Sequence, residues 1–353
     1  MPYTKKQQPY NYYLPVLICS LLFLNACSAR LVENLTGTVV SIPDVVVHGE
    51  LSDMSRLAPE WSPTRGQAIG YVWPEERHLP PDERSQTSEI NLSVGEAFDP
   101  YLILKSEKEE TFLITMLVDF EQVAFELDGQ KGLLHEVVVP PGSDLEIPIE
   151  LDIPQPGIHE VIVFAFVDPY NGTLDHQYRM STANKGVGRR AIVLVGDSNE
   201  LGRQLPAPLH GELVPDGIDL GLNAAFATYT TREDVHPSKR QLYVTEAKPG
   251  ETFNYHLWVS NLQGEMGADY ALMMFYNFHQ VPIQNQDVTV VRLEPGEEIV
   301  IPTSQQLVSE PGVNQLQVVY IFDPYRSILN KEVRAAFVLS DFRIAVDTSG
   351  LLP

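Results

Sequence analysis

Pro156-Gly157-Ile158-His159-Glu160-Val161-Ile162-Val163-Phe164-Ala165-Phe166-Val167-Asp168-Pro169-Tyr170 reads as one long buried strand, opened by a Pro-Gly turn and closed by Asp-Pro-Tyr. The chain says it again as Pro311-Gly312-Val313-Asn314-Gln315-Leu316-Gln317-Val318-Val319-Tyr320-Ile321-Phe322-Asp323-Pro324-Tyr325. Both copies run 12 steps from Pro to Asp, and they lie 155 residues apart. Agreement in turn chemistry and in spacing marks an internal duplication.

Period two places Val161, Val163, Ala165 and Val167 on one face of the first copy, and Leu316, Val318, Tyr320 and Phe322 on the same face of the second. That face is the expected core. The opposite face carries Ile162, Phe164 and Phe166 in the first copy and Gln317, Val319 and Ile321 in the second. In a two-layer sandwich this side meets water, so three large apolar residues there require a cover. The expected cover is the other repeat, docked on or beside this face. A long loop or an outside partner is the alternative. An outside partner would meet Phe164 and Phe166, together with Tyr170 and Tyr325 on the two Asp-Pro-Tyr turns.

The duplication extends outward from these strands. His48-Gly49-Glu50-Leu51 matches His210-Gly211-Glu212-Leu213, 162 residues on. Phe120-Glu121-Gln122-Val123 matches Phe278-His279-Gln280-Val281, and Pro141-Gly142 matches Pro295-Gly296. Short apolar runs of strand type separated by turn residues, with no amphipathic helix, argue an all-β fold of two tandem immunoglobulin-like antiparallel β-sandwich domains. The expected division is a signal peptide at 1–26, a tether at 27–43, repeat 1 at 44–197, a linker at 198–205, repeat 2 at 206–347 and a tail at 348–353.

With 353 residues, the chain has room for two ordinary domains. Its formal charge of −23 becomes −25 once Lys5 and Lys6, the only charges in residues 1–27, are set aside. An acidic body repels phosphates, which discounts nucleic acid and anionic lipid head groups as partners. Both cysteines, Cys19 and Cys27, lie in the first 27 residues, so the body has no disulfide and no thiolate metal site.

Lys5 and Lys6 precede the apolar run Leu14–Leu24, which is short for a permanent membrane span and right for an export signal. Leu24-Asn25-Ala26-Cys27 then resembles the bacterial lipoprotein box. The resemblance implies cleavage before Cys27, acyl chains on that residue, and an exported protein held at a bacterial membrane, facing the outside or the periplasm. The C-terminal half of each repeat resembles the bacterial cell-adhesion-related domains of immunoglobulin-like fold, on Pro156, Gly157, Val161, Val163, Val167, Asp168, Pro169 and Asn171.

Motifs of catalysis are missing. Nine histidines show none of the zinc-ligand spacings, and there is no Gly-x-Ser-x-Gly, phosphate loop or Ser-x-x-Lys. Gly186-Val187-Gly188-Arg189-Arg190-Ala191 matches a dinucleotide fingerprint on paper but precedes a strand where that motif opens a helix. Asp144, Glu146, Glu150 and Asp152 form an acidic cluster that is either a calcium site or a solvated strand face, and the alternation with Leu145, Ile147 and Ile149 favours the latter. No cofactor is expected. The sequence thus points to a non-catalytic surface lipoprotein, binding an unidentified protein or glycan, as an adhesion module or an accessory subunit of an envelope complex. Carbohydrate binding through Trp61, Trp73 or Trp258 and an enzyme site between the repeats are the alternatives.

Overall fold

A computed structural model describes residues 37–58, 66–80, 82–85, 89–142, 144–174, 186–214, 224–227, 244–261, 266–326 and 337–346. Repeat 1 contains β1 (Val45–Val47), β2 (Arg56–Ala58), β3 (Ala68–Val72), β4 (Glu89–Leu92), β5 (Tyr101–Lys105), β6 (Glu110–Val118) and β7 (Glu121–Val123). It continues with β8 (Phe125–Leu127), β9 (Gln130–Gly132), β10 (Leu134–Val139), β11 (Asp144–Glu150), β12 (Gly157–Val167) and β13 (Gly186–Val195). Repeat 2 contains β14 (Leu209–His210), β15 (Glu212–Leu213), β16 (Ala224–Ala227), β17 (Val244–Ala247), β18 (Thr252–Ser260) and β19 (Ala268–Tyr276). Its remaining strands are β20 (His279–Val281), β21 (Thr289–Leu293), β22 (Glu297–Gln306), β23 (Gly312–Phe322) and β24 (Phe337–Val346). Among the described residues the only helical element is a 3-10 turn at Pro74–Glu76, and no helix is long and apolar enough to cross a membrane.

Each repeat is a sandwich of two sheets, and the two share one topology. The large sheet of repeat 1 has the order β1-β10-β6-β12-β13-β4, with β7 attached to β6. That of repeat 2 is β14-β21-β19-β23-β24-β17, with β20 attached to β19. The smaller sheets, β3-β5-β11 with β2 and β16-β18-β22 with β15, also correspond; repeat 1 adds the hairpin β8–β9. The interiors of the sheets are antiparallel, as expected. The outer strands of the large sheets are not: β1 on β10, β4 on β13, β14 on β21 and β17 on β24 all run parallel. These edge strands reach their partners by long connections, which leave either direction open, whereas a tight hairpin forces antiparallel pairing.

The expected core faces are where period two put them. Val161, Val163, Ala165 and Val167 sit in the core of repeat 1 with Phe98, Phe112 and Ile147. Leu316, Val318 and Tyr320 sit in that of repeat 2 with Tyr255 and Leu257, and Phe322 packs against it. A third apolar cluster lies between the sandwiches. It joins Leu113, Leu117, Phe120, Ile162, Phe164 and Phe166 of repeat 1 to Ala271, Met273, Phe275, Phe278, Val319 and Ile321 of repeat 2. Each large sheet therefore buries both faces, one inside its sandwich and one against the other repeat.

Two short arms stitch this contact from the outside. Val39, ahead of repeat 1, forms a parallel bridge with Val313 of repeat 2; Leu201, ahead of repeat 2, forms one with Ile158 of repeat 1. The backbone amide of Val313 donates to Thr38 O at 2.8 Å, and that of Ile158 donates to Glu200 O at 2.7 Å. The end of the segment expected as a tether is thus packed: Val40 is buried and Ile42 lies against the inter-repeat cluster. The arms also explain the repeated Pro-Gly. Gly157 and Gly312 have φ of 148° and 149°, and a Cβ on either would come within 2.8 Å of the arm carbonyl, Glu200 O or Thr38 O. Glycine is needed there for backbone freedom and for room.

Gly157→Ala and Gly312→Ala each lose about 1–3 kcal/mol in urea unfolding, the cost of a strained backbone and a displaced arm. Gly70→Ala, with nothing within 4 Å of the new methyl, stays within about 0.5 kcal/mol of the parent.

Candidate functional site

The most elaborate polar arrangement lies at the seam between the repeats. It is built on two hairpin tips of the same design. Asp119 and Phe120 join β6 to β7 with φ of 50° and 70°; Asn277 and Phe278 join β19 to β20 with φ of 48° and 68°. Two consecutive left-handed residues are the geometry of a tight two-residue hairpin, where Asp and Asn are at ease and Phe is strained. The strain is offset by burial. Phe120 and Phe278 are 0% and 1% exposed, Phe120 edge-on to Tyr325 at 5.4 Å and Phe278 against Phe166 at 5.1 Å.

Beside the tips, two glutamines clasp each other. The amide of Gln122 donates to Gln280 Oε1 at 2.6 Å, and the amide of Gln280 donates to Gln122 Oε1 at 2.8 Å. Gln122 Nε2 donates to Phe278 O at 3.1 Å and Gln280 Nε2 to Phe120 O at 2.8 Å. Each side chain mimics the strand edge its neighbour lacks. The shared Phe-x-Gln-Val motif, read in the sequence only as evidence of duplication, is the centre of the contact.

Away from this centre the two ends differ in charge. In repeat 1, Asp119 Oδ1 accepts from the Glu160 amide at 2.9 Å and Asp119 Oδ2 bonds His159 Nδ1 at 2.7 Å. In repeat 2, Asn277 Oδ1 accepts from the Gln315 amide at 2.9 Å and Asn277 Nδ2 donates to Asn314 Oδ1 at 2.8 Å. Glu160 pairs with Arg190 at 2.5 Å, the two being 0% and 1% exposed. The pair then grips the Asp-Pro-Tyr turn of repeat 2. Arg190 donates to Phe322 O at 2.7 Å and Asp323 O at 3.3 Å, and Glu160 Oε2 accepts from the Tyr325 amide at 2.5 Å. The reciprocal grip is neutral, Gln315 Nε2 donating to Pro169 O at 3.1 Å.

The acid–base character of this cluster follows from its surroundings. Burial holds the Glu160 carboxyl above its ordinary range against the opposing pull of Arg190 and the Tyr325 amide. The bond to Asp119 raises His159. Burial, with Asp119 close by, holds the Tyr325 hydroxyl well above its ordinary value, and that hydroxyl donates to Arg203 O at 3.2 Å. The groups satisfy one another and the turn they hold, which is the arrangement of a clamp.

The residues singled out in the sequence fall as follows. Phe164 and Phe166 are 2% and 1% exposed and face repeat 2, so the contact considered for an outside partner is made within the chain. Tyr325 is half-buried in the clamp. Tyr170 is 47% exposed, its hydroxyl donating to Glu136. Cys27 and Trp61 lie outside the described residues. Trp73 is half-buried, edge-on to Phe98 at 6.0 Å, and Trp258 is buried.

The acidic cluster is only in part the solvated face that alternation suggested: Glu150 and Asp152 are exposed, but the other two are not. Asp144 and Glu146 are 1% and 0% exposed. Arg56, Arg77 and Arg84 reach Glu146 at 2.6, 3.0 and 3.4 Å, and Lys105 reaches Asp144 at 2.8 Å. The cover comes from β2 and the segment after β3, which only the tertiary fold brings over β11. Among the described residues no group of three or more His, Cys, Asp or Glu is placed to hold a metal ion.

The shared His-Gly-Glu-Leu also differs between the copies. His210 is exposed, while His48 is buried and faces His135 at 3.0 Å. Burial, reinforced by His48, pushes His135 down to about 4. Two half-open clefts lie among the described residues. One of about 560 Å³ is lined by Asp99, Tyr101, Glu126, Asp128 and Glu150 in repeat 1. Burial tends to raise Asp128, but hydrogen bonds from Ser52 and Ser55 outweigh it and hold the carboxyl below its ordinary range. The other, of about 460 Å³, lies beside Tyr325 and is lined by Leu201, Pro206, Met266 and Arg292.

No known protein family matches the sequence, and no curated protein matches it. Solved structures that align with it include a CARDB domain from Pyrococcus furiosus, 17% identical, covering 29% of this chain and 78% of that one with a TM-score of 0.23. Fibronectin(III)-like modules of Clostridium thermocellum CbhA are 8% identical over 79% of this chain and 94% of theirs, with a TM-score of 0.19. Red sea bream transglutaminase is 11% identical over 80% of this chain and 32% of its own, with a TM-score of 0.21. With scores this low, the all-β sandwich fold is read from the strands themselves.

Two measurements check the electrostatics. His135 binds its proton less readily folded than unfolded, so its stabilisation is present above pH 6.5 and is lost as pH falls towards about 4. His135 contributes a fall of about 1.4 kcal/mol per pH unit to the unfolding free energy there, and His135→Gln removes that contribution. Glu146→Ala leaves three guanidinium groups around an empty place and costs about 3–5 kcal/mol in urea unfolding.

Proposed function

We propose that the chain is a non-catalytic lipoprotein of a bacterial envelope, anchored through Cys27 and acting by binding another protein, as an adhesion-type module or an accessory subunit of an envelope complex. The observation that carries the reading is Leu24-Asn25-Ala26-Cys27 behind a basic and then apolar leader. One acyl chain gives only marginal membrane binding, and the box implies more than one. The body beyond it fits the role. It is acidic, and its two sandwiches are joined by a third apolar cluster and by crossed arms.

The first described residue is already fastened. The Gly37 amide donates to Gly172 O at 2.9 Å, and the Val40 amide donates to Val313 O at 3.2 Å. The nine residues between Cys27 and Gly37 span about 30 Å at full extension, so the anchor holds this side of the body near the bilayer and leaves the far loops for contact. Protein is preferred to glycan as the partner because Trp73 and Trp258, two of the three tryptophans that could serve a glycan, are engaged in packing, and Trp61 lies outside the described residues. Binding is preferred to catalysis because the clustered acid, base and hydroxyl groups at the seam are committed to each other and to backbone.

Growth of a bacterial expression host with an alkyne-bearing palmitate tests the anchor. The wild-type chain takes up label and partitions into detergent; Cys27→Ser does neither. An unlabelled wild-type chain recovered in the soluble fraction overturns the proposal.

A further inference from the structure

The seam has the form of a twofold contact between identical subunits. Gln122 and Gln280 exchange the same two kinds of bond, and Phe120 and Phe278 occupy matching places. The arms obey the same symmetry. Val39 of one repeat and Leu201 of the other are 162 residues apart, as are His48 and His210, and each pairs with the central strand of the opposite sandwich. Such reciprocity defines an isologous interface, in which one surface patch is complementary to itself.

We propose that the docking face of each repeat accepts a second copy of the same repeat, so that another molecule of this chain is a partner for any molecule whose own seam is open. The chemistry of repeat 1 permits it. Its buried charged groups at the seam, Glu160 with Arg190 and Asp119 with His159, pair with each other before any partner arrives, and the rest of its contribution is apolar or, at Gln122, a neutral amide. Two copies meeting face to face would therefore place no like charges together. The grip they supply is on backbone atoms of an Asp-Pro-Tyr turn, and repeat 1 carries that turn as well. In the intact chain the linker keeps repeat 2 at high local concentration, and closure within the molecule wins.

The test uses the full chain with one face spoiled. Phe275→Asp puts a carboxylate in the middle of repeat 2's face. The variant is expected to run at twice the monomer mass in light scattering, closed through two copies of repeat 1. Phe166→Asp is expected to dimerise likewise through repeat 2. Gln280→Glu, which sets a carboxylate against Phe120 O without touching a core, is the gentler variant and gives the same doubling. Phe166→Asp combined with Phe275→Asp has neither face and stays monomeric. Hydrogen exchange on β12 and β18 reports whether each sandwich is folded. Folded single variants that remain monomeric overturn the inference. So does a double variant that still dimerises, because its contact would then use some other surface.

Discussion

A sheet that is apolar on both faces cannot be finished by one sandwich. The long strands β12 and β23 present Val161 and Val163, or Leu316 and Val318, to their own cores, and Phe164 and Phe166, or Val319 and Ile321, to the outside. Burial of a large side chain contributes about 1.5–3 kcal/mol, so leaving two such faces in water would forfeit much of a typical domain's stability. Docking the two faces on each other answers this constraint. The rest of the architecture follows from it: the strained phenylalanines at the hairpin tips, the glutamine clasp, the arms that cross from one repeat to the other, and the glycines on which those arms lie.

The two copies have kept geometry and let chemistry drift. Asp119, His159 and Glu160 correspond to Asn277, Asn314 and Gln315, and the hydrogen bonds from the tips to the central strands have the same pattern at both ends. The same hydrogen-bond pattern is thus made by charged groups at one end and by amides at the other. Repeat 1 bears the desolvation cost of a buried ion pair, and spends it on fixing one turn of repeat 2. Repairing that cost with an apolar pair is often neutral or favourable in proteins, which makes such pairs weak evidence for stability and better evidence for a defined geometry.

Elsewhere repeat 1 carries features that the described residues of repeat 2 do not. The hairpin β8–β9, the buried histidine pair and the arginine cover over β11 are found in the first copy. The cover converts an acidic strand into a buried one, with Glu146 under three guanidinium groups. The hairpin and the arginine cover enlarge the small sheet, on the side away from the seam, while the histidine pair sits at the β1–β10 edge of the large sheet.

The sequence by itself determined the duplication, the strand class and the core faces, because period-two burial and turn residues are local patterns. It also showed that Phe164 and Phe166 needed a cover, since an apolar face is visible wherever alternation fails. What the tertiary structure decided was which surface provides it, and the partners of charged residues distant in sequence. Glu146 meets arginines 62 to 90 residues away, and Glu160 grips a turn 165 residues on. The spacing of Gln122 and Gln280 recorded a repeat; that they clasp each other depends on two sheets meeting face to face. Parallel edge strands and the arms escaped for the same physical reason: their backbone hydrogen bonds are made to segments brought close only by the finished fold, and no side-chain pattern encodes a backbone partner.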